Sequence, residues 1–334
     1  MGRCLVFAAV SAAFVACGGP YAAPNLRPVR IAIHRDPIAF LPVSVAQTLG
    51  YYSQEGLAAN VSDVSGGTKA MEALIGGSVD VAAGSMSDVV QVAAEGRKVR
   101  GFLVIYPRPS EVLAVAPALT GTIRTIRDLK GRAVGVTTPG SATHQFLNFL
   151  LVTNGLSPQD VGVVSVGMSA SSLAALERGK VDAAVLIASA ITTFEARHPG
   201  IEFLADTRTP AGARAIFGSE VFPSLSLLAQ DSWLQQNADI ARGLVRAVKR
   251  AMDWIRNHPA EDVRKMIPEA ARGSEADADL DAIRRIQQGM SSDGLIPPDS
   301  LESVRDFVAA SNPAVRAAHM DLASLYTNEF ASMK

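Results

Sequence analysis

An internal repeat constrains the fold of this 334-residue chain more than any other feature of its sequence. The segments 73–82 and 175–184 share the pattern Ala-Leu-x-x-Gly-x-Val-Asp-x-Ala at an offset of 102 residues. Upstream, the run Ile31-Ala32-Ile33 has a counterpart in Val134-Gly135-Val136 at nearly the same offset. Two matched motifs at one offset indicate a duplicated structural unit. We therefore expect one α/β unit that is present twice.

The units themselves show alternating strand and helix patterns. In the first unit, strands are predicted at 29–33, 57–64 and 79–83, with helices at 43–50 and 69–75 between them. This alternation is typical of a mostly parallel sheet that is flanked by helices. The expected fold class is therefore α/β, with one such sheet in each of two lobes.

The region after the second unit predicts two short strands, 201–205 and 221–229, followed by helices. Apolar residues recur there at three- and four-residue steps over 240–255, which is typical of a helix packed against a sheet. Asp80 and Asp182, the aspartates of the repeated motif, stand at the starts of strands. Turn and cap chemistry explains aspartates at such positions. We therefore expect a structural role for both.

The N-terminus has the features of an export signal. Arg3 precedes an uncharged apolar run that is too short to span a bilayer, so residues 1–16 are predicted to be a signal peptide. The residues around Cys17 resemble a bacterial lipobox, which predicts that Cys17 is lipidated and that residues 17–28 form a tether. The alternative is ordinary cleavage near Ala23. Either processing indicates a periplasmic or other extracytoplasmic location, and the lipobox adds a membrane anchor.

The composition excludes several classes of function. Lys and Arg total 31 against 32 for Asp and Glu, so the chain lacks the basic surplus of a nucleic-acid-binding protein. Its cysteines, Cys4 and Cys17, both lie in the leader region and cannot build a four-cysteine zinc site. The five histidines do not have zinc-site spacing, and a Gly-x-Ser-x-Gly motif is absent. We therefore expect no metal, no cofactor and no catalytic residues.

The candidate ligand-binding residues are those that follow strands and begin helices. Open α/β sheets bind ligands beyond the carboxyl ends of their strands, and helix N-termini rich in Gly, Ser and Thr hold anions. Helix capping alone would also explain such residues, and this alternative stays open. The candidates are Phe40, Leu41, Gly66, Gly67, Ser85, Met86, Ser87, Gly140, Ser141, Thr143, His144, Met168, Ser169 and Ser189. Arg35 and Arg108 also lie near the predicted cleft, where we expect salt bridges rather than ligand contacts.

The segment 41–57 resembles the first signature of the nitrate/sulfonate/taurine-type substrate-binding proteins of bacterial ABC importers. Gly66-Gly67, the segment 126–132 and Gly140-Ser141 follow in the order of that family. The resemblance covers about residues 29–260. It implies a periplasmic-binding-protein-like (type II) fold of two lobes, between which the chain crosses near 112–117 and again near 212–221. Lobe 1 would comprise 29–111 and 216–334, and lobe 2 would comprise 112–215.

The resemblance also implies a function. Such a protein is a monomer that captures a small organic anion of the sulfonate, taurine or nitrate class by hinge closure. It then delivers the ligand to a permease in the inner membrane, which works with an ATPase. The alternatives are a pyrimidine or aromatic-acid binding protein, a sensor subunit, or an enzyme on the same fold. Enzymes of the thiamine-pyrimidine-precursor type depend on a cysteine-rich iron motif that this sequence lacks.

Overall fold

A computed structural model describes residues 26–34, 38–64, 66–168, 170–269, 272 and 276–332, with only the backbone of Ala188 and Ser189. Cys17, the leader 1–16, Arg35 and Ser169 lie outside the described residues. The strands are β1 Arg27–His34, β2 Leu57–Val64, β3 Val81–Gly84, β4 Val99–Tyr106, β5 Glu111–Val115, β6 Ala133–Val136, β7 Gly162–Ser165, β8 Ala183–Ile187, β9 Ala205–Asp206 and β10 Leu225–Gln230.

The helices alternate with these strands and continue beyond the last of them. They are α1 Leu41–Thr48, α2 Tyr51–Gln54, α3 Gly67–Ile75, α4 Met86–Ala94, α5 Ala142–Thr153, α6 Ala170–Glu177, α7 Ala188–Arg197, α8 Pro210–Phe217, α9 Asp231–Gln236, α10 Ala238–Asn257, α11 Ala260–Lys265, α12 Ala276–Gly289, α13 Ser300–Ser311 and α14 Pro313–Ala317. Within the described residues, none of them has the length and apolarity that a membrane span requires.

The two lobes each contain a five-stranded sheet, and the two sheets have the same topology. The first has the order β2-β1-β3-β10-β4 and the second β7-β6-β8-β5-β9. In each sheet four strands run in one direction, and one strand, β10 or β5, is antiparallel to its neighbours. That strand always arrives from the other lobe. The duplicated α/β unit and the two-lobed α/β fold class are therefore confirmed.

Several predicted boundaries are shifted in the structure. The first crossing between sheets lies between β4 and β5, before the predicted 112–117, because Glu111 already pairs with Ile187 of β8. The strand predicted at 201–205 is reduced to β9. The strand predicted at 221–229 begins only at β10, two residues after Pro223, which has no N–H to donate to a sheet. The first helix begins at Leu41 because Pro42 fits the first helical turn.

The repeated aspartates fix the central region of each sheet. The Asp80 carboxylate accepts hydrogen bonds from the Arg30 backbone N–H at 2.8 Å and from Arg30 Nη2 at 2.7 Å. In the second lobe, the Asp182 carboxylate accepts the Ala133 backbone N–H at 2.8 Å. The N–H of each aspartate donates back to the carbonyl of the same partner residue. Their structural role is confirmed, although they join neighbouring strands and do not cap helices.

We expect Asp80→Asn to cost about 1 kcal/mol of folding free energy at pH 7, because Arg30 loses a charged acceptor that is only partly exposed to solvent. Burial raises the pKa of Asp80, but the hydrogen bonds and charge of Arg30 outweigh it and hold the pKa below its usual value. This stabilisation is present above the pKa of an unfolded aspartate, about 3.9, and is lost as pH falls through the lowered value. Urea unfolding at pH 7 and at pH 2.5 measures both effects.

The exposed Asp239, which pairs with Arg242 one helical turn away, provides the control. Asp239→Asn should change the unfolding free energy by less than about 0.5 kcal/mol at either pH. A cost of Asp80→Asn that stays the same at pH 2.5 would contradict the proposed role of its charge.

A hydrophobic core continues from the first lobe into the second along α13. This helix packs against α4 of the first lobe and α5 of the second. Phe307 of α13 is 4% exposed, and its ring lies 5.1 Å from Phe149, 5.6 Å from Phe217 and 5.2 Å from Phe222 between ring centroids. The aromatic cluster formed by Phe307, Phe149, Phe217 and Phe222 therefore joins the two lobes on one side.

Candidate functional site

A cavity of about 580 Å³ lies between the two lobes. Side-chain hydrogen bonds join the two lobes. Gln145 of α5 donates to Gln91 of α4 at 2.7 Å, and Arg285 of α12 donates to Glu195 of α7 at 3.0 Å. The described lobes are therefore in direct contact around the cavity, which is the arrangement of a closed cleft.

Half of the residues predicted from the sequence line this cavity. They come from the loops after β1, β2 and β3 in the first lobe and after β6 and β7 in the second, as the topology of open α/β sheets requires. The predicted residues that line it are Phe40, Gly66, Gly67, Ser85, Ser141, Thr143 and Met168.

Other predicted residues belong to the core or lie outside the lining of the cavity. The side chains of Leu41 and Met86 are 1% and 0% exposed and pack in the hydrophobic core. Ser87, Gly140 and His144 do not line the cavity either. Ser169 and the side chain of Ser189 lie outside the described residues.

The hydroxyl groups at the start of α5 bond to one another. Thr137 Oγ1 donates to Ser141 Oγ at 2.8 Å and also lies 2.8 Å from Thr143 Oγ1. Ser141 Oγ donates to the Thr138 carbonyl at 2.7 Å and accepts the N–H of His144 at 3.5 Å. Ser141 therefore caps α5, as one of the two explanations left open predicts, and the three hydroxyl-bearing residues also line the cavity.

His144 stabilises the same loop as a neutral imidazole. Its Nδ1 accepts the Gly140 backbone N–H at 2.9 Å, which requires this nitrogen to be unprotonated. Burial lowers the pKa of His144, which favours the same neutral form. The side chain therefore positions the loop before α5 and carries no charge toward a ligand.

Gly66 lies where the backbone of the first lobe comes close to the second lobe. Its φ of +97° lies in a region that residues with a Cβ rarely adopt. A Cβ at this position would also lie 3.2 Å from Thr138 Oγ1 of the other lobe. Both the backbone conformation and the space across the cleft therefore require glycine here.

Two carboxyl groups in the cavity were not identified from the sequence. Asp88 of α4 and Glu111 of β5 both line it. Burial raises the pKa of Asp88 to about 6, although the Ser85 N–H donates to its carboxylate at 3.2 Å. Burial and the nearby charge of Asp88 raise the pKa of Glu111 to about 7. Neither carboxylate forms an ion pair within the described part of the chain.

Arg208 is the cation that the second lobe contributes to the cavity. Its side chain is 14% exposed and binds Asp206 at 2.6 Å and Glu195 at 2.9 Å through Nη2. Burial lowers its pKa, but these carboxylates outweigh that effect and keep the guanidinium charged. Its Nη1 is buried and has no hydrogen-bond partner among the described residues. Arg208 is therefore a charged residue of the cavity wall, with one guanidinium nitrogen unpaired among the described residues.

Arg108 and Arg285 add two further cations to the lining. No salt bridge of Arg108 is found among the described residues, so the one expected from the sequence stays a prediction. Arg108 lies in the crossing between β4 and β5. Arg285 pairs with Glu195 across the cavity rim.

Two lobes of equal topology, connected by two crossings and closed around a cavity, define the fold of periplasmic binding proteins. This class agrees with the comparison to known proteins. The chain belongs to the NMT1/THI5-like family, whose model matches residues 38–262.

Curated relatives include both binding proteins and enzymes. The putative binding protein YtlA of Bacillus subtilis is 24% identical, with 92% of this chain and 90% of YtlA covered. The 4-amino-5-hydroxymethyl-2-methylpyrimidine phosphate synthase THI12 of Saccharomyces cerevisiae is also 24% identical, with 87% and 84% covered. Family membership therefore leaves a binding function and a synthase function to be distinguished.

Solved structures show the same fold. A protein of Bordetella bronchiseptica RB50 is 32% identical, with a TM-score of 0.86 over 92% of this chain and 96% of that protein. The alkanesulfonate-binding protein SsuA of Xanthomonas axonopodis pv. citri, solved with bound MOPS, is 17% identical, with a TM-score of 0.66 over 86% and 94%. The resemblance to sulfonate-type binding proteins, inferred from the sequence motifs, is confirmed at the level of family and fold.

Proposed function

We propose that this chain is the substrate-binding protein of an ABC importer and captures a small organic anion between its two lobes. The observation that carries the proposal is the interlobe cavity, whose lining includes the charged side chain of Arg208, with one guanidinium nitrogen unpaired among the described residues. A charge-assisted hydrogen bond from Arg208 would fix a carboxylate or sulfonate there. The cavity-lining residues predicted from the sequence would then surround the ligand.

The size of the cavity favours an organic ligand over nitrate. Sites for drug-sized molecules have volumes of about 300–1,000 Å³, and the volume of about 580 Å³ lies well inside that range. Nitrate has only four heavy atoms and would leave most of this space unfilled. Sulfonates and aromatic carboxylates fit the available volume better.

The partners follow from the same proposal. A ligand that contacts both lobes stabilises the closed state, and the permease would recognise that state. The protein would act as a monomer outside the cytoplasm and would be held at the membrane by a lipid on Cys17. SsuA and other sulfonate- and nitrate-binding proteins with this fold support the transport role.

A synthase is the second candidate function, because the cavity holds two carboxyl groups with raised pKa values. Such groups are typical of acid and base catalysts. The family also includes pyrimidine phosphate synthases. The sequence argues against this candidate, since its two cysteines at Cys4 and Cys17 cannot supply the cysteine-rich iron motif expected of those enzymes.

A ligand panel distinguishes the two candidates. We expect the melting temperature of the whole chain to rise with one class among ethanesulfonate, taurine, nitrate, benzoate and 4-amino-2-methylpyrimidine, in a buffer free of sulfonates. A ligand at 100 times its dissociation constant adds about 2.7 kcal/mol of stability. Chromatography after incubation should return the ligand unchanged. A ligand that is consumed would support the synthase, and a melting temperature unmoved by every anion would contradict anion binding.

A further inference from the structure

The carboxyl groups of Asp88 and Glu111 reach the cavity from different lobes. Asp88 is the third residue of α4 and is 7% exposed. Glu111 is the first residue of β5. Its backbone N–H donates to the Thr207 hydroxyl at 3.0 Å, and that hydroxyl donates to the Glu111 carbonyl at 2.8 Å. Closure of the lobes therefore brings one acid from each side to the same cavity.

Neither carboxylate of this pair is bound to a cation among the described residues. The Ser85 N–H is the donor to Asp88, and within the described residues no group donates a hydrogen bond to the Glu111 carboxylate. Each charge is costly because burial removes its hydration, and the negative charge of Asp88 adds to the cost at Glu111. A positively charged group placed between them would lower that cost for both.

The cations of the cavity do not fill this role. Arg208 is bound to Asp206 and Glu195, and Arg285 is bound to Glu195. Arg108 forms no ion pair in the described part of the chain. The remaining titratable group of the lining is Tyr106, which is not a cation.

We propose that the ligand is dipolar, with a cationic N–H group bound by Asp88 and Glu111 and an anionic group bound by Arg208. This inference rests on the proposed function and narrows its substrate class from organic anions in general to amino-substituted organic acids. Because the acids lie in different lobes, the cationic group of the ligand would also connect the lobes. A simple anion would leave the acid pair unpaired inside a closed cleft.

Matched ligand pairs test this inference by calorimetric titration of the whole chain. Taurine is compared with 1-propanesulfonate, and 4-(aminomethyl)benzoate with 4-ethylbenzoate, so that a methyl group replaces each ammonium. We expect at least one amine-bearing member to bind more than tenfold tighter than its methyl analogue at pH 8. The ratio should fall toward one at pH 5, where protonation removes both carboxylate charges.

Variants of Asp88 and Glu111 test whether these carboxylates bind the cationic group of the ligand. Glu111→Gln and Asp88→Asn preserve side-chain size, and each should reduce the affinity ratio at pH 8 at least severalfold. Glu302→Gln, on an exposed residue of α13 outside the cavity, is the matched control and should keep the wild-type ratio.

Three results would overturn the inference while leaving anion binding intact. They are equal or tighter binding of the methyl analogues at pH 8, a ratio that both acid variants leave unchanged, and binding only of panel members that lack a cationic group. If no anion of either set binds, the proposed function itself fails, and the dipolar ligand fails with it.

Discussion

Phe307→Ala should lower the free energy of unfolding by about 3–5 kcal/mol, the usual cost of truncating a buried phenylalanine. Phe307 is 4% exposed and contacts three aromatic rings of the cluster that joins the lobes. Its loss opens a cavity between α13 and α5. Helix α5 packs on the second sheet, whereas α13 also packs on α4 of the first lobe. Urea unfolding monitored by circular dichroism measures the change.

Phe149→Ala is the matched control for this prediction. Phe149 belongs to the same cluster but is only partly buried, so its truncation should cost clearly less. A cost below about 1 kcal/mol for Phe307→Ala would show that the cluster does not join the lobes into one cooperative unit, contrary to the hydrophobic core that contains residues of both lobes.

Arg208→Gln should weaken the binding of the tightest anion in the panel by about 10- to 100-fold, because a charge-assisted hydrogen bond contributes about 1.5–3 kcal/mol. Arg208→Lys retains the charge but loses the planar guanidinium group that donates to both Asp206 and Glu195. We expect it to bind more weakly than the wild type and more tightly than Arg208→Gln. Calorimetric titration provides the dissociation constants.

Stability must be measured beside affinity, since Arg208→Gln also leaves Asp206 and Glu195 without their shared partner. Arg214→Gln is the control, because Arg214 lies on the neighbouring α8, pairs with Glu220 and is 67% exposed. It should bind the anion as the wild type does. Wild-type affinity in a folded Arg208→Gln variant would exclude Arg208 as the anion-binding residue.

The duplication visible in the sequence was enough to predict that the two lobes are built alike. Paired motifs at one offset imply paired sheets, and the two sheets have the same strand order. Strand ends were less predictable. β9 ends at Asp206, whose carboxylate accepts a hydrogen bond from Arg208, two residues further along the chain. A strand of two residues has too few side chains to show an alternating pattern.

The position of α13 could not be predicted from its sequence. An apolar stripe such as that of Val304, Phe307 and Val308 shows that one face is buried, but the same stripe would suit either lobe. The structure places this helix against both. The contact depends on how the C-terminal region returns to the lobes, which no local pattern encodes.

The residues of the candidate site that follow strand ends were predicted from the sequence, and its charged residues were missed. Gly66 and Ser85 follow strand ends, so their place in the cavity follows from the topology. Asp88 has the spacing from Ser85 of an ordinary capping box, and that interaction is present. Glu111 and Arg208 flank the crossings, and pairing across the second sheet, rather than sequence proximity, brings them to the cavity.

Calorimetric titration of the whole chain with its tightest panel ligand tests the central claim most directly, when the ligand is afterwards extracted from the denatured protein. Capture in the interlobe cavity predicts one ligand per chain, at least tenfold weaker binding to Arg208→Gln, and recovery of the ligand chemically unchanged. Full-strength binding to a folded Arg208→Gln variant, several equivalent sites per chain, or recovery of a converted product would contradict it.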